Sequence, residues 1–196
     1  MSDSAANLYS EVRYVARRNF FNFLGLTCRI LSTSGALLGY VRLKAFKLKE
    51  DITVFSDEAK TKSLLSIKAR SIIDFSAAYD VVDTQSGEKL GAFRRKGLKS
   101  ILKDEWEILD ANDGVLGHMK EDSVMMALLR RFLSNLIPQN FTFEVGGNVV
   151  ADLTGTWNPF VVKYDVDLSK NTENQLDSRM ALAGTVLLMT IEGKQG

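Results

Sequence analysis

Five times along this chain a short alternating apolar segment runs into a small or polar turn and returns as a second short apolar segment, and this repeat limits what the chain can fold into. The clearest copies are Tyr79-Asp80-Val81-Val82-Asp83 with Gly87 and Gly91, and Trp106-Glu107-Ile108-Leu109-Asp110 with Gly114 and Gly117. Cys28-Arg29-Ile30-Leu31 with Gly35 and Gly39 is a third, and Phe141 to Val145 turning at Gly146-Gly147 a fourth. The fifth lacks glycine: Ile52 to Phe55 turns through Ser56 to Lys62 and returns along Leu64 to Ile67. Period-two alternation bounded by such turns signals β-hairpins, because successive side chains of a strand face opposite ways and tight turns need backbone conformations that glycine adopts freely.

Five hairpins supply ten strands, and the segments Glu11 to Arg17 and Val161 to Leu168 add two. So many short antiparallel strands would leave unpaired edges in an open sheet, and closure removes them. A ring of twelve strands is too wide for its own side chains to fill, which works at about eight. The segment Met180 to Ile191 answers this. It is apolar on nearly every face, as a helix buried all round must be, and Ala181, Ala183 and Gly184 allow strands to approach closely. It is also well short of the roughly 20 residues that span a bilayer. The expected fold is all-β with a buried helix: an antiparallel closed barrel of about twelve strands around a C-terminal hydrophobic helix from Asp177 to Glu192. A second, short helix is expected from Ser123 to Ile137, where Val124, Leu128, Leu129, Phe132, Leu133 and Leu136 follow helical spacing, Asp122 or Ser123 caps the start and Pro138 ends it. It would cover one barrel end. With no linker rich in proline, glycine or serine, residues 1–196 read as one domain, residues 1–8 being a flexible N-terminus.

The charge balance excludes several functions. Twenty-five Lys and Arg against 24 Asp and Glu leave a net charge of +1, so there is no global basic field of the kind that holds proteins on nucleic acid. One cysteine, Cys28, excludes an internal disulfide framework, and one histidine, His118, excludes two-histidine chemistry. Met1 to Asn7 is small and polar, and Asn22 interrupts the apolar stretch that follows Arg13, Arg17 and Arg18, so no secretory signal is read. The expected protein is cytoplasmic, at most peripheral to a membrane and not transmembrane.

The hairpin order ending in a hydrophobic helix resembles the tubby C-terminal-like fold, which comprises the tubby domain, phospholipid scramblases and the LURP-one-related proteins. The stretches Lys44-Ala45-Phe46-Lys47-Leu48-Lys49-Glu50-Asp51-Ile52, Tyr79-Asp80-Val81 and Lys163-Tyr164-Asp165-Val166-Asp167 are similar to strand starts of the LURP-one-related and scramblase-like branch. The resemblance covers about residues 9 to 192. It implies a twelve-stranded barrel around a C-terminal helix, and among known uses of the fold it implies binding of phosphoinositide headgroups, membrane lipid scrambling, and roles in transcription or defence. Fold alone transfers none of these. Scramblases carry a proline-rich N-terminal region and a cysteine cluster for palmitoylation, whereas this sequence has Cys28 alone.

The densest basic run is Arg94-Arg95-Lys96, followed after Gly97 by Lys99 and Lys103. Arginine binds phosphate bidentately, and a glycine brings backbone N–H groups near an anion. Lys44, Lys47 and Lys49 hold the matching place in an earlier repeat, and Arg17-Arg18 in another. Gathered on one rim, they would form an anionic-headgroup site in which Arg94, Arg95, Lys96 and Lys99 act with Lys47 or Lys49. The alternative is that each is a rim charge paired locally and worth little.

Asp165, Asp167, Ser169, Asn171 and Glu173 are spaced two apart like the early ligands of a calcium loop, and the same region of scramblases has been likened to one. Lys170 stands where the loop needs glycine and Leu176 where it needs glutamate, which favours a strand with outward acids. His118 lacks a nucleophile partner in sequence, Cys28 reads as a small apolar wall residue, and Trp106 and Trp157 as rim packing. The expected function is a non-enzymatic binding module without a cofactor. Its partner would be an anionic lipid headgroup or, in the rival reading, a protein docked near Phe20, Phe21 and Phe23.

Overall fold

A computed structural model of the chain describes residues 8–19, 25–43, 51–71, 78–96, 105–121, 139–156, 158 and 161–191. Twelve antiparallel strands close into a barrel: β1 (Arg13–Asn19), β2 (Leu26–Ser32), β3 (Leu37–Leu43), β4 (Asp51–Phe55), β5 (Ser63–Ala69), β6 (Ala78–Asp83), β7 (Lys89–Arg95), β8 (Glu105–Leu109), β9 (Val115–Glu121), β10 (Phe141–Val145), β11 (Asn148–Thr156) and β12 (Val161–Asp167). Every strand pairs with its neighbours in sequence, and β12 closes on β1 from Arg13 opposite Asp167 to Asn19 opposite Val161. The helix α1 (Ser178–Ile191) follows. The five expected hairpins are all present, and β1 begins two residues later than the alternation suggests. The covering helix expected at Ser123 to Ile137 lies outside the described residues. Leu8, assigned above to a loose N-terminus, is buried and packs over Gly39.

The hairpin repeat has a cause deeper than its turns. In each hairpin the returning strand carries one extra residue, a β-bulge, at Leu38, Leu64, Leu90, Leu116 and Val150. The first four stand 26 residues apart. A bulge bends its strand and increases the local twist, which a closing sheet needs. The next residue faces the interior, and at Gly91 and Gly117 a Cβ would collide with the backbone carbonyl oxygens of Leu109 and Glu144 on the adjacent strand. These glycines therefore sit in strands, where neighbouring backbones approach closely, and not in the turns to which alternation assigned them. Two of the turns are braced by aspartates, while Gly35, Gly87, Gly146 and Gly147 supply left-handed backbone in the turns. Asp83 accepts hydrogen bonds from the Gln85 and Ser86 amides, and Asp110 from those of Asn112 and Gly114, which is the local bonding that favours aspartate in turns.

The helix occupies the interior. Asp177 caps it by accepting the Arg179 amide at 2.8 Å, and every residue from Met180 to Thr190 is buried. Tyr14 of β1 meets Thr185 at 3.2 Å, and Cys28 of β2 lies 3.3 Å from the Met189 sulfur. On other walls, a Cβ at Gly184 would come within 2.9 Å of the ring tips of both Phe93 (β7) and Phe143 (β10). α1 lies closest to β1, β2, β5, β6 and β7. The wider side, toward β8 to β12, is filled by Trp106, Met119, Phe141, Phe143 and Tyr164, all buried. Fourteen helical residues rise about 21 Å, comparable to the length of about 23 Å of a seven-residue strand.

The up-and-down order sorts the connections into two ends. At the turn end the strand-to-strand connections are two to seven residues long, and at the loop end four to nineteen. α1 enters at the turn end, where Arg179 binds Asp83 at 2.9 Å and Glu88 at 3.2 Å, and finishes at the loop end.

Candidate functional site

The basic run on β7 is divided by the pleat. Arg94 and Lys96 face outward onto β8, where Arg94 Nε donates to Glu107 at 2.7 Å and Lys96 Nζ to Glu105 at 2.8 Å. Arg95 faces the interior side with its register partner Trp106, its guanidinium 5.8 Å from the indole centroid. Trp106 is itself fully buried and stands 5.8 Å from the Tyr79 ring, so it packs the interior. The hydrogen bond from Lys96 outweighs burial and holds the Glu105 carboxyl below its ordinary range. Two of the three adjacent cations are thus already held by carboxylates.

The other basic stretches reach the same end of the barrel but separate positions on it. Arg17 is exposed near the end of β1 and Arg42 near the end of β3. Arg18 points inward and is only 1% exposed, because period two along β1 turns Tyr14, Ala16 and Arg18 to the interior. It pairs in register with Cys28, beside the last turn of α1, where the helix dipole favours a cation. The composite rim patch therefore does not include Arg18. Strands β1 and β7 lie on opposite sides of the ring, and β4 is three interstrand spacings from β7, about 14 Å. Lys47, Lys49 and Lys99 lie outside the described residues, as do Lys44, Lys103, Trp157 and the phenylalanines 20, 21 and 23.

The five residues with calcium-loop spacing follow β12 and the loop beyond it. Asp165 accepts from Thr156 and pairs with Lys163 at 3.0 Å, and Asp167 pairs with Arg13 at 3.0 Å and accepts the Ser169 amide. Asn171 is bonded both ways to the Leu176 backbone and Glu173 to Gln175. Among the described residues no three His, Cys, Asp or Glu side chains assemble as a metal-holding group. His118 lies on the outer wall with Nδ1 3.3 Å from Glu105, the carboxylate already bound by Lys96, and has Glu107 and Glu144 as register neighbours. Cys28 is fully buried, and burial pushes its thiol up to about 12, far from a reactive thiolate.

Outside the barrel, Arg70 binds Asp80 at 2.6 Å and Asp113 at 2.5 Å, and Lys89 reaches Asp113 at 3.1 Å. This network lies over a small buried outer cluster of Ala78, Ala92 and Leu109. No periodicity announces it, because Arg70 and Asp113 are 43 residues apart. Charged pairs outside and apolar side chains inside are the reverse of a membrane-spanning barrel, whose outer band is apolar. Among the described residues no helix is long and apolar enough to cross a membrane.

The architecture defines a class: a closed antiparallel barrel threaded by its own C-terminal helix. Within that class, the LURP-one-related family profile matches residues 38–189, and the chain belongs to the LURP-one-related family. No curated protein matches the sequence. No solved structure matches it either.

Proposed function

We propose that this LURP-one-related protein is a non-enzymatic binding module that recognises anionic phospholipid or phosphoinositide headgroups at the loop end of its barrel. The observation that carries the reading is the shared direction of the basic stretches: Arg17, Arg42 and the Arg94 to Lys96 run all come from the loop-end portions of β1, β3 and β7. Lys47 and Lys49 follow β3 in sequence, and Lys99 follows β7. The resemblance to the tubby-like fold supports it, since anionic lipid recognition is a known use of that barrel. Each basic residue near an anionic membrane contributes about 1 kcal/mol, so a few exposed cations suffice for measurable association.

Co-sedimentation with vesicles of phosphatidylcholine alone, or with added phosphatidylserine or phosphoinositide, tests the proposal. Binding is expected to the anionic vesicles only, to weaken as salt shortens the screening length, and to fall in Arg17→Ala/Arg42→Ala and in Arg94→Ala/Arg95→Ala/Lys96→Ala. Equal binding to neutral and anionic vesicles, or full binding by both variants, overturns it. A second reading rests on the ion pairs of Arg94 with Glu107 and Lys96 with Glu105: a protein-interaction scaffold in which the cations serve the wall. That scaffold would show no preference for anionic lipid.

A further inference from the structure

Strand register places cations beside cations on one part of the outer wall. Lys163 of β12, Arg17 of β1 and Arg29 of β2 are successive register partners, and the alternation of each strand turns all three outward. Partners across an antiparallel pair stand about 5 Å apart, so the three positive residues follow one another within about 10 Å. Arg42 of β3 is exposed on the diagonal from Arg29, whose own partner on β3 is Tyr40. Like charges directly opposite destabilise a sheet, and the rest of the described wall keeps them apart or compensates them. Arg13 stands opposite Asp167, Lys68 opposite both Asp51 and Asp80, Arg94 opposite Glu107, and Lys120 opposite Glu105. Asp152 and Asp167 do face each other, but Lys170 reaches the first at 2.6 Å and Arg13 the second at 3.0 Å.

The basic row is compensated at its flanks and not at its centre. Asp165 takes Lys163 at 3.0 Å and Glu58 takes Arg29 at 2.6 Å, both carboxylates being about half exposed, and pairs of that kind are weak. Arg17 is exposed and has no carboxylate partner among the described residues. A cation between two cations adds nothing to the sheet, whereas an anion lying across the row gains from all three: Arg17 offers a bidentate pair of N–H donors, with Lys163 and Arg29 on either side of it. Three cations in a line match a ligand that carries two or more phosphates, on which each cation finds its own oxygen atoms.

Deepening the headgroup reading above, on which it rests, we infer that a polyphosphorylated headgroup binds side-on, on the outer wall of β12, β1 and β2, with Arg17 at the centre of the site. Vesicles of phosphatidylcholine containing phosphatidylinositol bisphosphate and, separately, soluble inositol trisphosphate are the probes. Both are expected to bind, the soluble compound displacing the vesicles. Arg17→Gln should weaken both about tenfold or more, as loss of a charge-assisted hydrogen bond does. Lys68→Gln and Lys120→Gln, which remove wall cations outside the row, should bind like the parent. Arg17→Gln is also expected to keep or raise Tm, because it relieves repulsion between register partners.

A fall in Tm makes Arg17 a residue of the fold, and equal weakening by Lys68→Gln and Lys120→Gln reduces the effect to net charge; either result overturns the inference. Undiminished vesicle binding by Arg17→Gln overturns it too, while the lipid-binding reading survives. Inositol trisphosphate bound through Arg17 with no binding to vesicles supports the row as a phosphate site and overturns the lipid reading. Binding of neither probe overturns both.

Discussion

Replacing Gly184 by alanine tests the threaded helix, because the sign of its effect depends on where α1 lies. On an exposed helix the change is stabilising by about 1 kcal/mol, since alanine loses less backbone freedom on folding than glycine. In this barrel the new methyl group would stand 2.9 Å from the Cζ atoms of both Phe93 and Phe143, against about 3.5–4.0 Å for carbon atoms in easy contact. The two rings come from different strands and cannot retreat together into a wall that is already filled. Overpacking of this kind costs about 1–3 kcal/mol. The propensity gain offsets about 1 kcal/mol of that, leaving a net loss of up to about 2 kcal/mol, or a fall in Tm of up to roughly 8 °C for a chain of this size. Thermal unfolding followed by circular dichroism or calorimetry measures it. Phe143→Leu shortens one ring, so the double variant Phe143→Leu/Gly184→Ala should be more stable than the two single losses added, by about 1 kcal/mol. A stabilised Gly184→Ala, or strict additivity in the cycle, would refute the placement of the helix between those rings.

Three further outcomes follow from the geometry. Gly117→Ala should destabilise by at least about 2 kcal/mol, because its Cβ meets the Glu144 backbone carbonyl and no side-chain rotation relieves that; a Tm within 1 °C or so of the parent, read by the same unfolding assay, contradicts the close approach of β9 and β10. Cys28, with its buried thiol pushed up to about 12, should stay unmodified by a thiol reagent at neutral pH and react only when the protein is unfolded; fast labelling of the native protein rules out a closed interior. Asp113 is held at about 2, mainly by the hydrogen bonds from Arg70 and then from Lys89. Burial pushes Asp83 up, but Arg179 and the turn amides outweigh it and hold it below its ordinary range. Carboxyls depressed in the folded state stabilise it fully above their unfolded pKa and lose that effect as pH falls through the folded one. Stability should therefore decline from about pH 4 toward pH 2, and less steeply in Arg70→Gln; an equal slope in that variant removes the network from the account.

What alternation and length determine by themselves is the architecture. Side chains that switch face at every residue in five hairpins require a sheet, its edges require closure, and the girth of twelve strands requires a filler, which the all-apolar run after Arg179 supplies. Each step uses only local pattern and the need to bury apolar surface, so each can be read along the chain. The same pattern misplaces Gly91 and Gly117, because the backbone carbonyls they admit belong to the next hairpin. It also joins Arg94, Arg95 and Lys96 into one cluster and sets Arg18 beside Arg17. The pleat sends Arg95 and Arg18 to the interior side, and the pairing of β7 with β8 gives Arg94 and Lys96 to Glu107 and Glu105. Only the tertiary pairing decides that Arg70 meets Asp113. These placements depend on which strands become neighbours, and a charge acts through distance in space, which a linear order of residues does not contain.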